Sequence, residues 1–210
     1  MPTLFTRPRR FGKTLALSTL RTFFELEYDR NGEVVDNRRY FAGMKIMYEG
    51  GGVLDMMGQY PVINMSLKSA RQNDFYTAFI MLRNEIISEY GRHDYLLTSN
   101  ALDDEEKQTF RSLKRGDVDW EEKSEGFKNR QEENEAFKKE VGKYATSLKT
   151  LSEFLKKHHG RNVIILIDEY DVPLENAWVC GFYDEMVGFV RSLFESALKT
   201  NDALERAVVT

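Results

Sequence analysis

The sequence predicts a three-layer α/β fold, in which a mainly parallel sheet lies between layers of helices. Continuous apolar runs typical of buried strands, such as residues 163–167, alternate along the chain with segments whose apolar residues recur at helical spacing. Such alternation is typical of sheets whose strands are connected by helices. The chain has 210 residues, of which 41% are hydrophobic, and is therefore long enough to form one domain with a substantial core.

The first predicted elements are a short strand and a helix. Residues 2–6 form an apolar-leaning segment that we interpret as the end of a strand. From Lys13 onward apolar residues recur at helical spacing, which predicts a helix that begins at Gly12 or Lys13 and ends near Glu27. Turn-forming residues at 29–32 interrupt this helix.

The middle of the chain is predicted to contain a strand followed by a long helical region. Residues 60–67 read YPVINMSL, which is typical of a buried strand, and an amphipathic helix is predicted over residues 75–86. Residues 101–140 contain 22 charged side chains of mixed sign, a pattern that favours solvated helices. We therefore expect a single domain over residues 1–210 that carries a charged helical insertion at about residues 70–160.

One long helix is predicted to close this region. Apolar residues from Phe137 to Leu155 alternate steps of four and three, and Gly160 is expected to end the helix. His158 and His159 fall in its last turn, where cations suit the helix dipole. A metal site is not favoured there, because adjacent residues diverge around a helix and no acidic or cysteine pattern accompanies them.

The last predicted elements are a strand, a helix and a further strand. The apolar run at residues 163–167 predicts a strand buried on both faces, as in a parallel sheet. Inward-facing apolar residues between Phe182 and Ala197 predict a helix, and residues 205–210, ERAVVT, predict another strand.

The first motif with chemical meaning is a candidate phosphate-binding loop. In LFTRPRRFGKTLAL, residues 4–17, the tripeptide Gly12–Thr14 completes the pattern G-x-x-x-x-G-K-[ST], but Arg7 replaces the first glycine. The tripeptide alone is a weak signal, and its place between a strand and a helix start strengthens it, since backbone N–H groups there attract phosphate. We predict that Lys13 binds the β- and γ-phosphates of a nucleotide and that the Thr14 hydroxyl ligates Mg²⁺.

The second motif is the acidic pair that follows the apolar run and predicted strand at residues 163–167. Asp168 and Glu169 lie at the carboxyl end of that strand, where ligands of open α/β sheets bind. Asp168 is predicted to hold the Mg²⁺ shell, and Glu169 is predicted to orient and activate the attacking water. Asp171 either assists the metal shell or caps a turn at Pro173, and we favour the cap.

Two interpretations are open for Arg7, Arg9 and Arg10. They form either an exposed basic turn or a set of guanidinium groups that add positive charge around a triphosphate. Pro8 is expected to fix the turn in a shape that tolerates the missing glycine. The full predicted nucleotide-binding set is Arg9, Arg10, Phe11, Gly12, Lys13, Thr14 and Leu15.

Composition excludes several other classes of protein. The net charge of −4 and the pI of about 5.6 argue against a strong overall attraction to nucleic acid. The single cysteine, Cys180, excludes an intrachain disulfide and fits a reducing compartment. Because no apolar run approaches the roughly 20 residues of a membrane span, we expect a cytoplasmic protein without membrane contact.

Four segments together resemble the AAA-ATPase-like family of bacteria and their relatives. They read LFTRPRRFGKT, YPVI, VIILIDEYDVPL and FYDEMVGFVRSLFESAL, and the likeness extends over residues 4–210. The resemblance implies that the loop without its first glycine is a family trait, with Gly12–Thr14 as Walker A, Asp168 and Glu169 as Walker B, and ATP with Mg²⁺ as cofactors.

The resemblance also implies that this chain is a partial ATPase core. Family members continue into a sensor-bearing segment and a further strand, and often carry a PD-(D/E)XK nuclease-like domain. We therefore expect a P-loop NTPase fold that is incomplete at its C-terminal end and lacks the polar residue that monitors the γ-phosphate.

The leading functional hypothesis is Mg²⁺-dependent ATP hydrolysis, coupled to a conformational change that acts on a protein or nucleic-acid partner. The alternative is a nucleotide-dependent switch or scaffold without significant turnover, which the expected truncation favours. A third hypothesis is a nucleic-acid-binding element that uses Arg7, Arg9 and Arg10, although the acidic total charge disfavours it. Oligomeric state, partner and the choice between ATP and GTP cannot be predicted from the sequence.

Overall fold

A computed structural model describes residues 2–6, 11–28, 32–116 and 130–210 of the chain. Within these residues four strands form one open sheet in the order β1-β4-β3-β2, and all neighbouring strands are parallel. The strands are β1 (Pro2–Leu4), β2 (Val62–Ser66), β3 (Val163–Asp168) and β4 (Leu204–Val209). The predicted α/β fold with a parallel sheet is therefore confirmed.

Seven α-helices accompany the strands in the described part of the chain. They are α1 (Lys13–Phe24), α2 (Phe75–Arg92), α3 (Asp104–Arg115), α4 (Arg130–Ala145), α5 (Ser147–His159), α6 (Val172–Cys180) and α7 (Tyr183–Phe194). Helix α7 continues into a π-helical turn, and short 3₁₀ helices lie at Asn37–Phe41, Lys45–Tyr48, Leu54–Met56, Lys68–Ala70 and Asp94–Thr98. None of the described helices combines the length and the apolar character that crossing a membrane requires.

Helices cover both faces of the sheet, so the fold has the three predicted layers. On one face Leu17 of α1 packs with Val62 of β2 and with Ile164 and Leu166 of β3. On the other face the alternate residues of β2 and β3 join a larger core that includes side chains from α2, α4, α5, α6 and α7. All six residues of β3 are buried, as the continuous apolar run predicted.

The predicted long helix over residues 137–155 is wrong, because the chain forms two helices that are separated at Thr146. Side-chain hydroxyls compete for backbone carbonyls at this point. Ser147 Oγ donates to the Tyr144 carbonyl at 2.7 Å, and Ser196 Oγ donates to the Ala145 carbonyl at 2.8 Å. Gly160 does end the second helix, α5, in a left-handed conformation with φ 64°, as predicted.

Two other sequence predictions can be compared with the structure. Helix α1 ends at Phe24 and not near Glu27, because the Phe24 carbonyl accepts a hydrogen bond from the Tyr60 amide, just before β2, at 2.9 Å.

The charged region is helical and mostly exposed in α3 and α4, whereas its central part, residues 117–129, lies outside the described residues. In chain order, α2 to α5 all lie between β2 and β3.

A buried charged cluster, here called the Glu25–Arg92 network, connects the end of α1 to the end of α2. Glu25 accepts a hydrogen bond from Arg21 Nε at 2.7 Å and another from Arg92. Arg92 also donates to both carboxylate oxygens of Glu89, at 2.7 and 2.9 Å. Glu89 in turn accepts the Asn64 amide of β2 at 2.9 Å, which satisfies a backbone group on the outer edge of that strand.

Histidine and tyrosine side chains extend the network to the end of α5. His93 lies 3.3 Å from Glu89 Oε1 and 3.1 Å from the Tyr95 hydroxyl, which lies 2.9 Å from His159 Nε2. Burial alone would raise the pKa of Glu89, but the hydrogen bond from His93 and the charge of Arg92 hold it below its usual value. Burial, aided by the neighbouring histidines, lowers the pKa of His159 to about 4.

Candidate nucleotide-binding site

The two sequence motifs meet at the carboxyl edge of the sheet. Helix α1 begins at Lys13, and β3 ends at Asp168. The two elements are joined directly, since Thr14 Oγ1 donates to Asp168 Oδ2 at 2.6 Å across 154 positions of sequence. The fold therefore brings together the two side chains that the sequence predicts as magnesium ligands.

The start of α1 has the geometry of an anion site. Gly12, immediately before the helix, has φ 73° and ψ 28°, a left-handed conformation that glycine adopts without steric cost. No side chain among the described residues caps the helix, and the first turn of the helix contains no acidic residue. The N–H groups of the first turn are thus left for a ligand, and the positive end of the helix dipole favours an anionic one.

Hydrogen bonds from three directions fix the Asp168 carboxylate. Besides the bond from Thr14, its Oδ1 accepts the Thr210 hydroxyl at 2.5 Å and the Glu169 amide at 3.0 Å. Asp168 is only 7% exposed, and Thr210 is buried at the end of β4. Sequence reasoning missed Thr210, although a polar residue directly after an apolar strand at the same sheet edge was a usable signal.

Glu169 has an unusual backbone conformation. Its φ of 56° makes it the one residue other than glycine, among those described, with a positive φ. This conformation costs a residue with a Cβ about 1–2 kcal/mol. Such strain is often found at functional sites. The Tyr170 amide bonds to the Thr210 carbonyl at 3.1 Å, and the Val172 amide to the Glu169 carbonyl at 3.2 Å, so the surrounding turn holds the strained residue in place.

A cleft of about 630 Å³ lies in front of these groups. It is lined by Gly12, Lys13, Thr14, Lys68, Arg71, Glu169 and Val172. Three of these side chains are cationic and one is acidic, so the lining has an excess of positive charge. Sequence reasoning missed Lys68 and Arg71, which lie in the segment after β2 and belong to neither motif.

Other predicted site residues lie away from the cleft or outside the described part of the chain. Phe11 and Leu15 are 63% and 71% exposed, and neither is among the residues that line the cleft. Arg7, Arg9 and Arg10 lie outside the described residues, and neither interpretation of the basic turn is tested.

Asp171 occupies the position that the favoured interpretation gave it, but without the expected side-chain bond. It precedes α6, and its carbonyl accepts the amides of Leu174 and Glu175 at 3.1 and 2.9 Å. The side chain makes no capping hydrogen bond, and its buried Oδ1 has no hydrogen-bond partner among the described residues. The cap is therefore formed by the backbone.

Two oxygen donors fit a magnesium ion: Thr14, which lines the cleft, and Asp168, to which it is hydrogen-bonded. Thr14 supplies a hydroxyl and Asp168 a carboxylate, and Mg²⁺ prefers oxygen ligands. Within the described ranges no group of three or more histidine, cysteine or acidic side chains could hold a metal by itself. Two protein ligands match the behaviour of Mg²⁺ in nucleotide sites, where phosphates and water complete the octahedron.

The parallel sheet, the glycine–lysine–threonine turn at the start of α1 and the acid at the end of β3 are consistent with a P-loop NTPase-like fold. A family model described as "Predicted AAA-ATPase" matches residues 1–210, and the chain belongs to this AAA-ATPase-like family. This confirms the resemblance seen in the sequence and supports ATP binding and a general ATPase role. No curated protein and no solved structure matches the chain.

Proposed function

We propose that this protein binds ATP with Mg²⁺ in the cleft and hydrolyses it to ADP and phosphate. The observation that carries the proposal is the 2.6 Å hydrogen bond between Thr14 and Asp168 at the uncapped start of α1. It places a hydroxyl, a carboxylate and a helix N-terminus at one point, which is the combination that binds a metal-bound triphosphate.

In the proposed mechanism, the first-turn amides of α1 and the Lys13 ammonium bind the phosphates and balance charge that develops on them. Thr14 and Asp168 are the residues that would hold Mg²⁺, which supplies further charge stabilisation when it is bound. The Glu169 carboxylate, which lines the same cleft, orients the attacking water. Thr210 positions Asp168 through its hydrogen bond to Oδ1.

The proposal extends to the organisation of the chain. We propose that residues 1–210 act as one P-loop domain and that the charged helices within about residues 70–160 are an insertion into it. Hydrolysis would be coupled to a conformational change that acts on a protein or nucleic-acid partner. The ATPase role of the family supports this part of the proposal.

Phosphate release from Mg·ATP by the purified chain tests the proposal. We expect steady release by the wild-type protein and none by Lys13→Ala, because that variant loses the charge that binds the phosphates. Glu169→Gln should bind ATP with nearly unchanged affinity and lose turnover about 100-fold or more, as expected when a group that orients water is removed.

Two outcomes would contradict the proposal in different ways. Wild-type release that Lys13→Ala does not reduce would place hydrolysis outside this cleft. ATP binding that depends on Lys13, without measurable phosphate release, would replace the ATPase proposal with the alternative of a nucleotide-dependent switch. The matched control is Lys45→Ala, because Lys45 is an exposed lysine that does not line the cleft.

A further inference from the structure

We propose that Lys68 and Arg71 form a second phosphate-binding wall of the cleft and contact the terminal phosphate of ATP, so that the site distinguishes ATP from ADP. This inference rests on the proposed function, since it concerns the same nucleotide. It assigns recognition of the terminal phosphate to the segment after β2, which contains neither of the two sequence motifs.

The backbone of this segment is attached directly to the candidate magnesium ligand. Ser66, the last residue of β2, pairs in register with Asp168, the last residue of β3. The Leu67 amide then donates to the Asp168 carbonyl at 3.0 Å. Lys68 directly follows Leu67, whose amide makes this hydrogen bond to Asp168.

The segment is held at several points and is not a free loop. Residues Lys68–Ala70 form a 3₁₀ helix, in which the Ala70 amide donates to the Leu67 carbonyl at 3.2 Å. Asn176 of α6 donates its side-chain amide to the Gln72 carbonyl. Asp74 then caps α2 by accepting the Thr77 amide at 2.8 Å. Anchored backbone on both sides of Arg71 means that little ordering is needed when its side chain binds an anion.

The cationic side chains of the cleft form no ion pair within the described ranges. Lys13, Lys68 and Arg71 all line it, and in the part of the chain that the structure describes none of them forms an ion pair. Two surface lysines illustrate the contrast, since Lys114 and Lys157 each lie 2.5 Å from a carboxylate oxygen. Three cationic side chains against one acidic side chain, Glu169, give the cleft lining an excess of positive charge that attracts an anion, and a triphosphate has more charge than a diphosphate.

The position of the two side chains relative to α1 favours the terminal phosphate. A nucleotide whose phosphates lie at the start of α1 meets Thr14 and Asp168, which lie at the junction with β3. The segment after β2 lies beyond this junction, on the neighbouring strand. The phosphate that reaches it is the one farthest from the nucleoside, and ADP lacks that group.

The experiment measures the affinities of the full chain for the non-hydrolysable analogue AMP-PNP and for ADP, both with Mg²⁺, by calorimetry. We expect Lys68→Ala and Arg71→Ala each to weaken AMP-PNP binding about tenfold or more, the effect of losing one hydrogen bond to a charged group. ADP binding should change less than about threefold. Lys68→Arg and Arg71→Lys should recover most of the AMP-PNP affinity, because they keep the charge.

Matched controls are Lys45→Ala and Arg111→Ala. Lys45, like Lys68, is an exposed lysine that begins a 3₁₀ helix, and Arg111 is an exposed arginine on α3. The inference is overturned if both cleft variants leave AMP-PNP affinity unchanged, or if they weaken AMP-PNP and ADP equally. Either result leaves the proposed function intact as long as Lys13→Ala still abolishes binding of both nucleotides. If the wild-type chain binds neither nucleotide, the proposed function fails and this inference fails with it.

Discussion

Helix α1 joins two charged regions that are built in opposite ways. At its N-terminal end lies the cleft, where Lys13 faces a cavity without an ion-pair partner among the described residues. At its C-terminal end lies the Glu25–Arg92 network, where each carboxylate is paired and both Glu25 and Glu89 are buried. Charges that the fold leaves unpaired and accessible are available for a ligand, whereas charges that it buries and pairs hold elements together.

The two regions should therefore respond differently to substitution. Removing a cationic charge from the cleft removes no ion pair among the described residues and should change ligand binding with little effect on stability. Removing a charge from the network leaves its partners buried without compensation and should destabilise the fold. The 12 residues of α1 separate the cleft, where ligand binding should change, from the network, where stability should change.

The largest expected effect on stability comes from Arg92→Ala. It leaves the buried carboxylates of Glu25 and Glu89 without their shared guanidinium, and we expect a loss of about 3 kcal/mol in the free energy of unfolding. Urea denaturation measures this loss, with Arg111→Ala as the exposed control that should stay within about 0.5 kcal/mol of wild type. A loss below about 1 kcal/mol would show that the network does not stabilise the fold.

Two substitutions of Glu169 should have the same effect on turnover and different effects on stability. Glu169→Gly and Glu169→Gln both remove the carboxylate, and both should lose turnover. Only glycine relieves the left-handed backbone at φ 56°, so Glu169→Gly should be more stable than Glu169→Gln by about 1 kcal/mol. Thermal or urea unfolding of the two variants measures the difference, and equal stabilities would show that the native turn stores no strain.

The smallest expected effect is a pH dependence that arises from His159. Its pKa is about 4 in the fold against 6.5 as its usual value, so between these limits the unfolded chain binds more protons. The contribution of His159 is present above pH 6.5 and is lost as pH falls towards 4. Because the ring is only half-buried, we expect a loss of about 1 kcal/mol.

His159→Gln removes the titrating group and keeps a side chain that can hydrogen-bond to Tyr95. The difference in unfolding free energy between wild type and this variant, measured at pH 7 and pH 4.5, isolates the effect from the other titrating groups. A difference that does not depend on pH would contradict the assignment of a lowered pKa to His159.

The parts of the fold that sequence could predict were those with a local cause. The apolar run before Asp168 predicted a buried strand, and Gly160 predicted a helix end, because both follow from local burial and backbone preference. The break at Thr146 could not be predicted, since the hydroxyl of Ser196, 51 residues away from Ala145, contributes to it.

The candidate site also contains residues that the sequence could predict and residues that it could not. The motif residues Lys13 and Glu169 could be chosen from sequence because their spacing to a strand or helix end has a known chemical meaning. Lys68 and Arg71 have no such motif, and their role depends on the register that sets Ser66 beside Asp168. That register is a property of the folded sheet and not of any one segment.

The most direct test of the account is a calorimetric titration of the wild-type chain and Lys13→Ala with Mg·ATP, together with the unfolding free energy of each. We predict saturable binding by the wild-type protein with one ATP per chain, no detectable binding by Lys13→Ala, and unfolding free energies within about 0.5 kcal/mol of each other. Equal ATP affinity of the two proteins would contradict the claim that the cleft at the start of α1 is the nucleotide site.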